Sequence, residues 1–135
     1  MAYRLHSVHT EMNESILIVD DEIYLANGCA QILKRAGFTC LIAHDGPTAL
    51  SLFDSQRPAL VISDVNLGEG SGFEIVEYVH EKSPITPIIL MTGSRNLLEH
   101  DLPVGVASYL RKPFSTSDLI SSVKSLLRAK DVKPI

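Results

Sequence analysis

Cysteine is scarce: the 135 residues hold two, Cys29 and Cys40. They form no C-x-x-C pair and have no histidine at metal-ligand spacing, so neither a zinc site nor a thiol redox motif is suggested. Both are expected to be small buried residues in a reducing compartment. Long apolar runs are also missing; none approaches the ~20 residues of a membrane span. The leader MAYRLHSVHTEMNES lacks the apolar stretch of a signal peptide, so a cytoplasmic address is expected. His6 and His9 in that leader read as exposed polar residues. Positive charge is in deficit, with 12 Lys+Arg against 16 Asp+Glu and a net charge of -4. That balance gives no whole-protein attraction to nucleic acid or anionic lipid, and neither is expected as a partner. No internal repeat, low-complexity tract or second-domain boundary is visible.

What is present is an ordinary globular composition, 45% hydrophobic and 21% charged. Residues 15–129 are expected to form one domain, with 1–14 as a flexible leader and 130–135 as a tail. Apolar runs of strand length occur at Ile16–Val19, Phe38–Ala43, Leu60–Ser63, Ile88–Met91 and Ala107–Leu110. The first, third and fourth are almost continuously apolar, as in parallel strands covered on both faces, whereas the second and fifth mix in polar residues and suit sheet edges.

Helical punctuation fills the intervals. Glu22 to Ala36 carries Ile23, Ala26, Ala30 and Leu33 at helical spacing before a stop at Gly37. DGPTALSLF starts a second helix, with Asp45 or Gly46 as cap and Pro47 at the first position. Gly72 to Lys82 makes a third. Ser115 and Asp118 open the last, whose apolar face is Leu119, Ile120, Val123, Leu126 and Leu127. The segment GSRNLLEHDLPVG can hold only a short or distorted helix between Gly93 and Pro103. The alternation implies an α/β fold with a parallel sheet and helices on both faces.

In such sheets chemistry gathers beyond the carboxyl ends of the strands. Asp20 and Asp21 follow the first strand, Asp64 the third, Thr92 the fourth and Lys112 the fifth. Singly, each has a plain structural reading as a solvated strand exit, a cap or a β-former. Together they bring three repelling carboxylates, a hydroxyl and an ammonium to one rim. A hard divalent ion such as Mg²⁺, which takes oxygen ligands, relieves that repulsion. A carboxylate can attack a phosphoryl group, and Asp64 is the candidate. Lys112, Thr92 and the ion would then stabilise the transferred group.

The stretches ILIVDDE, LVISDVNL, PIILMTG and YLRKPF, in this order and spacing, resemble the receiver domains of two-component response regulators, the family that includes the chemotaxis response regulator. The resemblance covers Ser15 to about Ala129. It implies a flavodoxin-like three-layer sandwich with strand order 2-1-3-4-5. It further implies that Asp64 accepts phosphate from a histidine kinase or phosphotransfer protein. Mg²⁺ or Mn²⁺ would be held by Asp21, Asp64 and the main-chain carbonyl of Asn66, with Asp20 acting through water. Lys112 would bind the phosphoryl group, while Thr92 and Tyr109 would move on phosphorylation and alter the face presented to an effector or to a second copy in a dimer. Asn66 and Ser94 would tune dephosphorylation. Such a chain catalyses only its own phosphorylation and hydrolysis, so no enzyme acting on external substrates is implied.

The chain departs from the family pattern at Gly68, where proline is usual, and in a Thr92–Lys112 interval a couple of residues short. Two other readings compete. One is a receiver fold that docks without phosphorylation. The other is a haloacid-dehalogenase-like phosphatase, whose D-x-D after the first strand is absent from DDE at 20–22.

Overall fold

The computed structural model describes residues 14–93 and 102–131. The elements are β1 (Ser15–Val19), α1 (Ile23–Arg35), β2 (Thr39–Ala43), α2 (Gly46–Gln56), β3 (Leu60–Asp64), α3 (Gly72–Lys82), β4 (Ile88–Thr92), β5 (Val106–Arg111) and α4 (Thr116–Asp131). All five strands are parallel, in the order β2-β1-β3-β4-β5. This is the flavodoxin-like arrangement, with the two mixed-polarity strands at the edges.

Every residue of β3 and β4 is buried. Alternate side chains feed two cores, as the two-residue period of a strand requires. Ile16, Ile18, Ile62 and Ile89 pack with Leu33 of α1 and Leu119 of α4. Leu17, Val19, Val61 and Leu90 pack on the other face with Phe53 of α2 and Ile75 of α3.

The helix starts follow local chemistry. The Asp45 carboxylate accepts from the Thr48 N–H at 2.8 Å with Pro47 in the first turn. The Ser115 hydroxyl accepts from the Asp118 N–H at 3.0 Å. The start of α3 carries a full capping box not foreseen in the sequence, in which Ser71 Oγ accepts from Glu74 N–H and Glu74 Oε1 accepts from Ser71 N–H. Gly37, at φ +105°, ends α1 as expected. α2 instead ends on Arg57 at φ 45°, a conformation unusual for a residue other than glycine. Its guanidinium lies 5.0 Å from the centre of the Phe53 ring, an attraction that helps hold it there.

Some expectations need adjustment. Cys29 is buried, but Cys40 is only half-buried, because β2 is an edge strand. Asp64 and Thr92 are the last residues of their strands rather than the first beyond them. The α4 helix runs to Asp131. The expected short helix after β4 and most of the leader lie outside the described residues. Among the described residues no helix is long and apolar enough to cross a membrane.

Candidate phosphoryl-transfer site

The three central strands end side by side, and their last residues and following turns meet at one rim. Asp20 is held first by its backbone, whose N–H donates to the Ala43 carbonyl at 3.1 Å. Its own carbonyl lies 3.0 Å from His44 Nδ1. A carbonyl can only accept, so that nitrogen carries the proton. The Asp20 carboxylate is fully buried and accepts from the Glu22 N–H at 2.9 Å through Oδ1 and from Lys112 Nζ at 3.1 Å through Oδ2. Burial raises its pKa, against the pull of the Glu22 N–H and Lys112.

Asp64 is 8% exposed. Its Oδ1 accepts from the Asn66 N–H at 3.2 Å and its Oδ2 from Lys112 Nζ at 2.8 Å. The turn beyond it is packed against the start of α3, where the Gly72 N–H donates to the Val65 carbonyl at 2.8 Å. A Cβ at Gly72 would stand 2.2 Å from the Asp64 carbonyl oxygen, so only glycine allows this approach. Asp21 is exposed, and carboxylate oxygens of Asp20, Asp21 and Asp64 lie within 4.8 Å of one another.

Lys112 is where the sequence reading falls short. Its Nζ reaches a third carboxylate, Glu22 Oε1, at 3.3 Å. Glu22, expected only to open the first helix, stands at the N-cap of α1 but makes no capping bond with its side chain, which turns to the lysine instead. Burial alone would lower the Lys112 pKa, but the hydrogen bonds to Asp64 and Asp20 outweigh it and raise the value above that of an ordinary lysine. The Lys112–Pro113 peptide bond is cis. No residue-spacing rule links positions 22 and 112.

Thr92 is buried at the end of β4, and its carbonyl accepts from the Lys112 N–H at 2.7 Å, so a main-chain hydrogen bond ties the hydroxyl-bearing residue to the ammonium-bearing one. Tyr109, paired with Leu90 across β4 and β5, is half-buried against the core on the α2–α3 side. It borders a groove of about 730 Å³ with Leu102, Pro103, Phe114 and Asp118. Asn66 is exposed and bridged to Ser71. Ser94 lies outside the described residues. The structure thus brings together Asp20, Asp21, Asp64 and Lys112, places Thr92 beside them, and sets Tyr109 apart on β5.

The cluster offers only hard oxygen donors, with neither histidine nor thiol among its members, which fits Mg²⁺ or Mn²⁺ and disfavours softer ions.

Residues 16–124 match the response regulator receiver domain family. The alkaline phosphatase synthesis transcriptional regulatory protein PhoP of Bacillus subtilis (strain 168) is 30% identical over 123 residues, covering 90% of this chain and 51% of that protein. The transcriptional regulatory protein TrcR of Mycobacterium tuberculosis is 33% identical over 115 residues, covering 84% and 45%. The chain therefore spans about half the length of the curated relatives it matches. Among solved structures, a CheY-like receiver domain protein from Methanospirillum hungatei JF-1 superposes with TM-score 0.82 at 27% identity, covering 88% of this chain and 97% of that one. The chemotaxis response regulator CheY4 of Vibrio cholerae does so with TM-score 0.78 at 30% identity, covering 84% and 98%.

Proposed function

Because the chain belongs to the response regulator receiver domain family, we propose that Asp64 accepts a phosphoryl group from a histidine kinase or phosphotransfer protein in a Mg²⁺-dependent reaction. The observation that carries this reading is Lys112 Nζ at 2.8 Å from Asp64 Oδ2, inside a cluster that also contains Asp20 and Asp21. A carboxylate oxygen of Asp64 attacks phosphorus as the bond from phosphorus to the donor nitrogen breaks, and that nitrogen keeps the electron pair. Lys112 is close enough to exchange its Asp64 hydrogen bond for one to a phosphoryl oxygen, offsetting the charge that arrives. Asp21, Asp64 and the main-chain carbonyl of Asn66, with Asp20 acting through water, would hold Mg²⁺ or Mn²⁺, which would supply counter-charge to the acids and to the arriving phosphoryl group.

Thr92 is the switch residue nearest the new charge, and Tyr109, on the neighbouring strand, is the second switch residue. Their movement alters the groove beside β5, which in this reading meets a downstream effector or a second phosphorylated copy. The protein acts on itself rather than turning over an external substrate, and a cytoplasmic address goes with the role. The D-x-D that the phosphatase reading needs after the first strand is absent from DDE at 20–22, which speaks against it.

The test is incubation with acetyl phosphate and Mg²⁺ followed by intact-mass analysis. One acid-stable, base-labile phosphoryl group is expected on the wild type and none on Asp64→Asn. Labelling that survives in Asp64→Asn overturns the assignment. A protein that is never labelled, and that shows no Mg²⁺-dependent change with beryllofluoride, supports a docking module instead. With beryllofluoride and Mg²⁺, the Tyr109 ring resonances should shift in the wild type and stay still in Thr92→Ala; equal shifts in both would remove Thr92 from the switch.

A further inference from the structure

The Lys112 ammonium has three protons, and three carboxylates stand ready for them: Asp64 at 2.8 Å, Asp20 at 3.1 Å and Glu22 at 3.3 Å. Two of these partners belong to the acidic cluster that a divalent cation requires, whereas Glu22 does not. A lysine and a divalent ion drawing on the same oxygens repel each other at close range. Lys112 therefore loosens its hold on Asp20 and Asp64 as a cation draws on them. It must nonetheless stay near Asp64 to meet the phosphoryl group.

Glu22 has the position and chemistry to reconcile these demands. Its side chain is 67% exposed, so it marks the solvent side of the pocket, while Lys112 is only 18% exposed. Its backbone is tied into the site at both ends. The Glu22 N–H donates to Asp20 Oδ1 at 2.9 Å, and its carbonyl accepts the Ala26 N–H of α1 at 3.0 Å. The carboxylate is thus tethered one residue from Asp21 and within one side-chain swing of Lys112.

Building on the reading of Asp64 as a Mg²⁺-dependent acceptor, we propose that Glu22 is a positioning residue for Lys112. It holds the ammonium at the rim of the pocket while Asp20 and Asp64 turn to the cation, so that lysine and cation act together instead of competing.

The test is a double-mutant cycle read by calorimetric titration with Mg²⁺ on the full chain, without phosphodonor. Glu22→Gln should weaken Mg²⁺ binding about three- to fivefold, the scale of a partly exposed ion pair. In a Lys112→Met background the same Glu22→Gln change should have no effect. Equal losses in both backgrounds would mean that Glu22 acts through its own charge on the cation, which overturns the proposal, as does no loss in either. A wild type that binds no Mg²⁺ would overturn the acceptor-site reading and this inference together. Normal wild-type binding with an unaltered Glu22→Gln overturns this inference alone.

Discussion

Replacing Lys112 by methionine removes the ammonium that, among the described residues, hydrogen-bonds to the acidic cluster, while keeping most of the side chain's apolar length. In the metal-free protein it leaves the Asp20 carboxylate, fully buried, with one N–H donor in place of a donor and an ion pair. Asp64 loses a 2.8 Å partner, and Glu22 loses its own. Breaking a buried pair by removing one member costs roughly 3–5 kcal/mol. The pocket opens to water at Asp21 and Glu22, so the lower end applies, about 3 kcal/mol. For a domain of this size each kcal/mol moves the melting point by about 3–4 °C, giving a fall of about 10 °C.

The assay is thermal unfolding followed by circular dichroism in EDTA and in Mg²⁺ at neutral pH. Mg²⁺ should narrow the gap between variant and wild type, because a divalent ion restores the missing counter-charge. Acidification should narrow it as well. Burial already raises the Asp20 pKa in the wild type, and loss of the lysine raises it further. A group with a raised folded pKa destabilises the fold in its ionised form, so the penalty is absent below the unfolded value and grows as pH rises through the folded one. A variant that melts within a couple of degrees of wild type in EDTA, or whose deficit ignores both Mg²⁺ and pH, would refute the electrostatic account.

Gly72→Ala forces a Cβ onto the Asp64 carbonyl oxygen and against Val65 Cα, main-chain atoms that cannot swing away. The expected cost is about 3 kcal/mol, the upper end for overpacking, with slower acetyl phosphate labelling; an unchanged urea midpoint would contradict it. Burial pushes the Cys29 thiol from 9.0 up to about 11. The folded state then binds this proton more tightly, so the stabilisation is complete below pH 9 and lost as pH approaches 11, roughly 2–3 kcal/mol in all. Cys29→Ala should lose less stability than wild type between pH 8 and pH 11 in denaturant titrations. Substituting Asn66 or Ser94 should change the decay rate of the phosphoryl group, measured by intact mass over time, and an unaltered rate would remove that residue from the path of attacking water.

The sheet was legible because β1, β3 and β4 are buried on both faces and write that burial as unbroken runs of Ile, Leu and Val. The edge strands were legible for the opposite reason, since solvent on one side lets polar residues in. The four acids and bases of the site could be assigned to one rim because each sits at a strand end, and topology alone then brings them together. The Glu22–Lys112 contact was not legible, because the pair lies 90 positions apart and depends on side-chain reach. The Ser71 capping box was readable in principle from Ser-Gly-Phe-Glu, but the two flanking glycines obscured it. Arg57 in a left-handed conformation had no sequence signal, because its cation–aromatic contact with Phe53 forms only once α2 is coiled.

β5 has a single neighbour in the sheet, and Lys112 lies just past its end. Its bonds to Asp20 and Asp64 span 92 and 48 positions of chain, so they form only after β1, β3, β4 and β5 have docked. An edge strand with one ladder opens more readily than a central one. Whatever Asp64 and Lys112 grip together therefore clasps the outermost strand to the middle of the sheet. Amide exchange along Val106–Arg111 should slow each time the clasp closes, making the edge of the sheet a gauge of what the site holds.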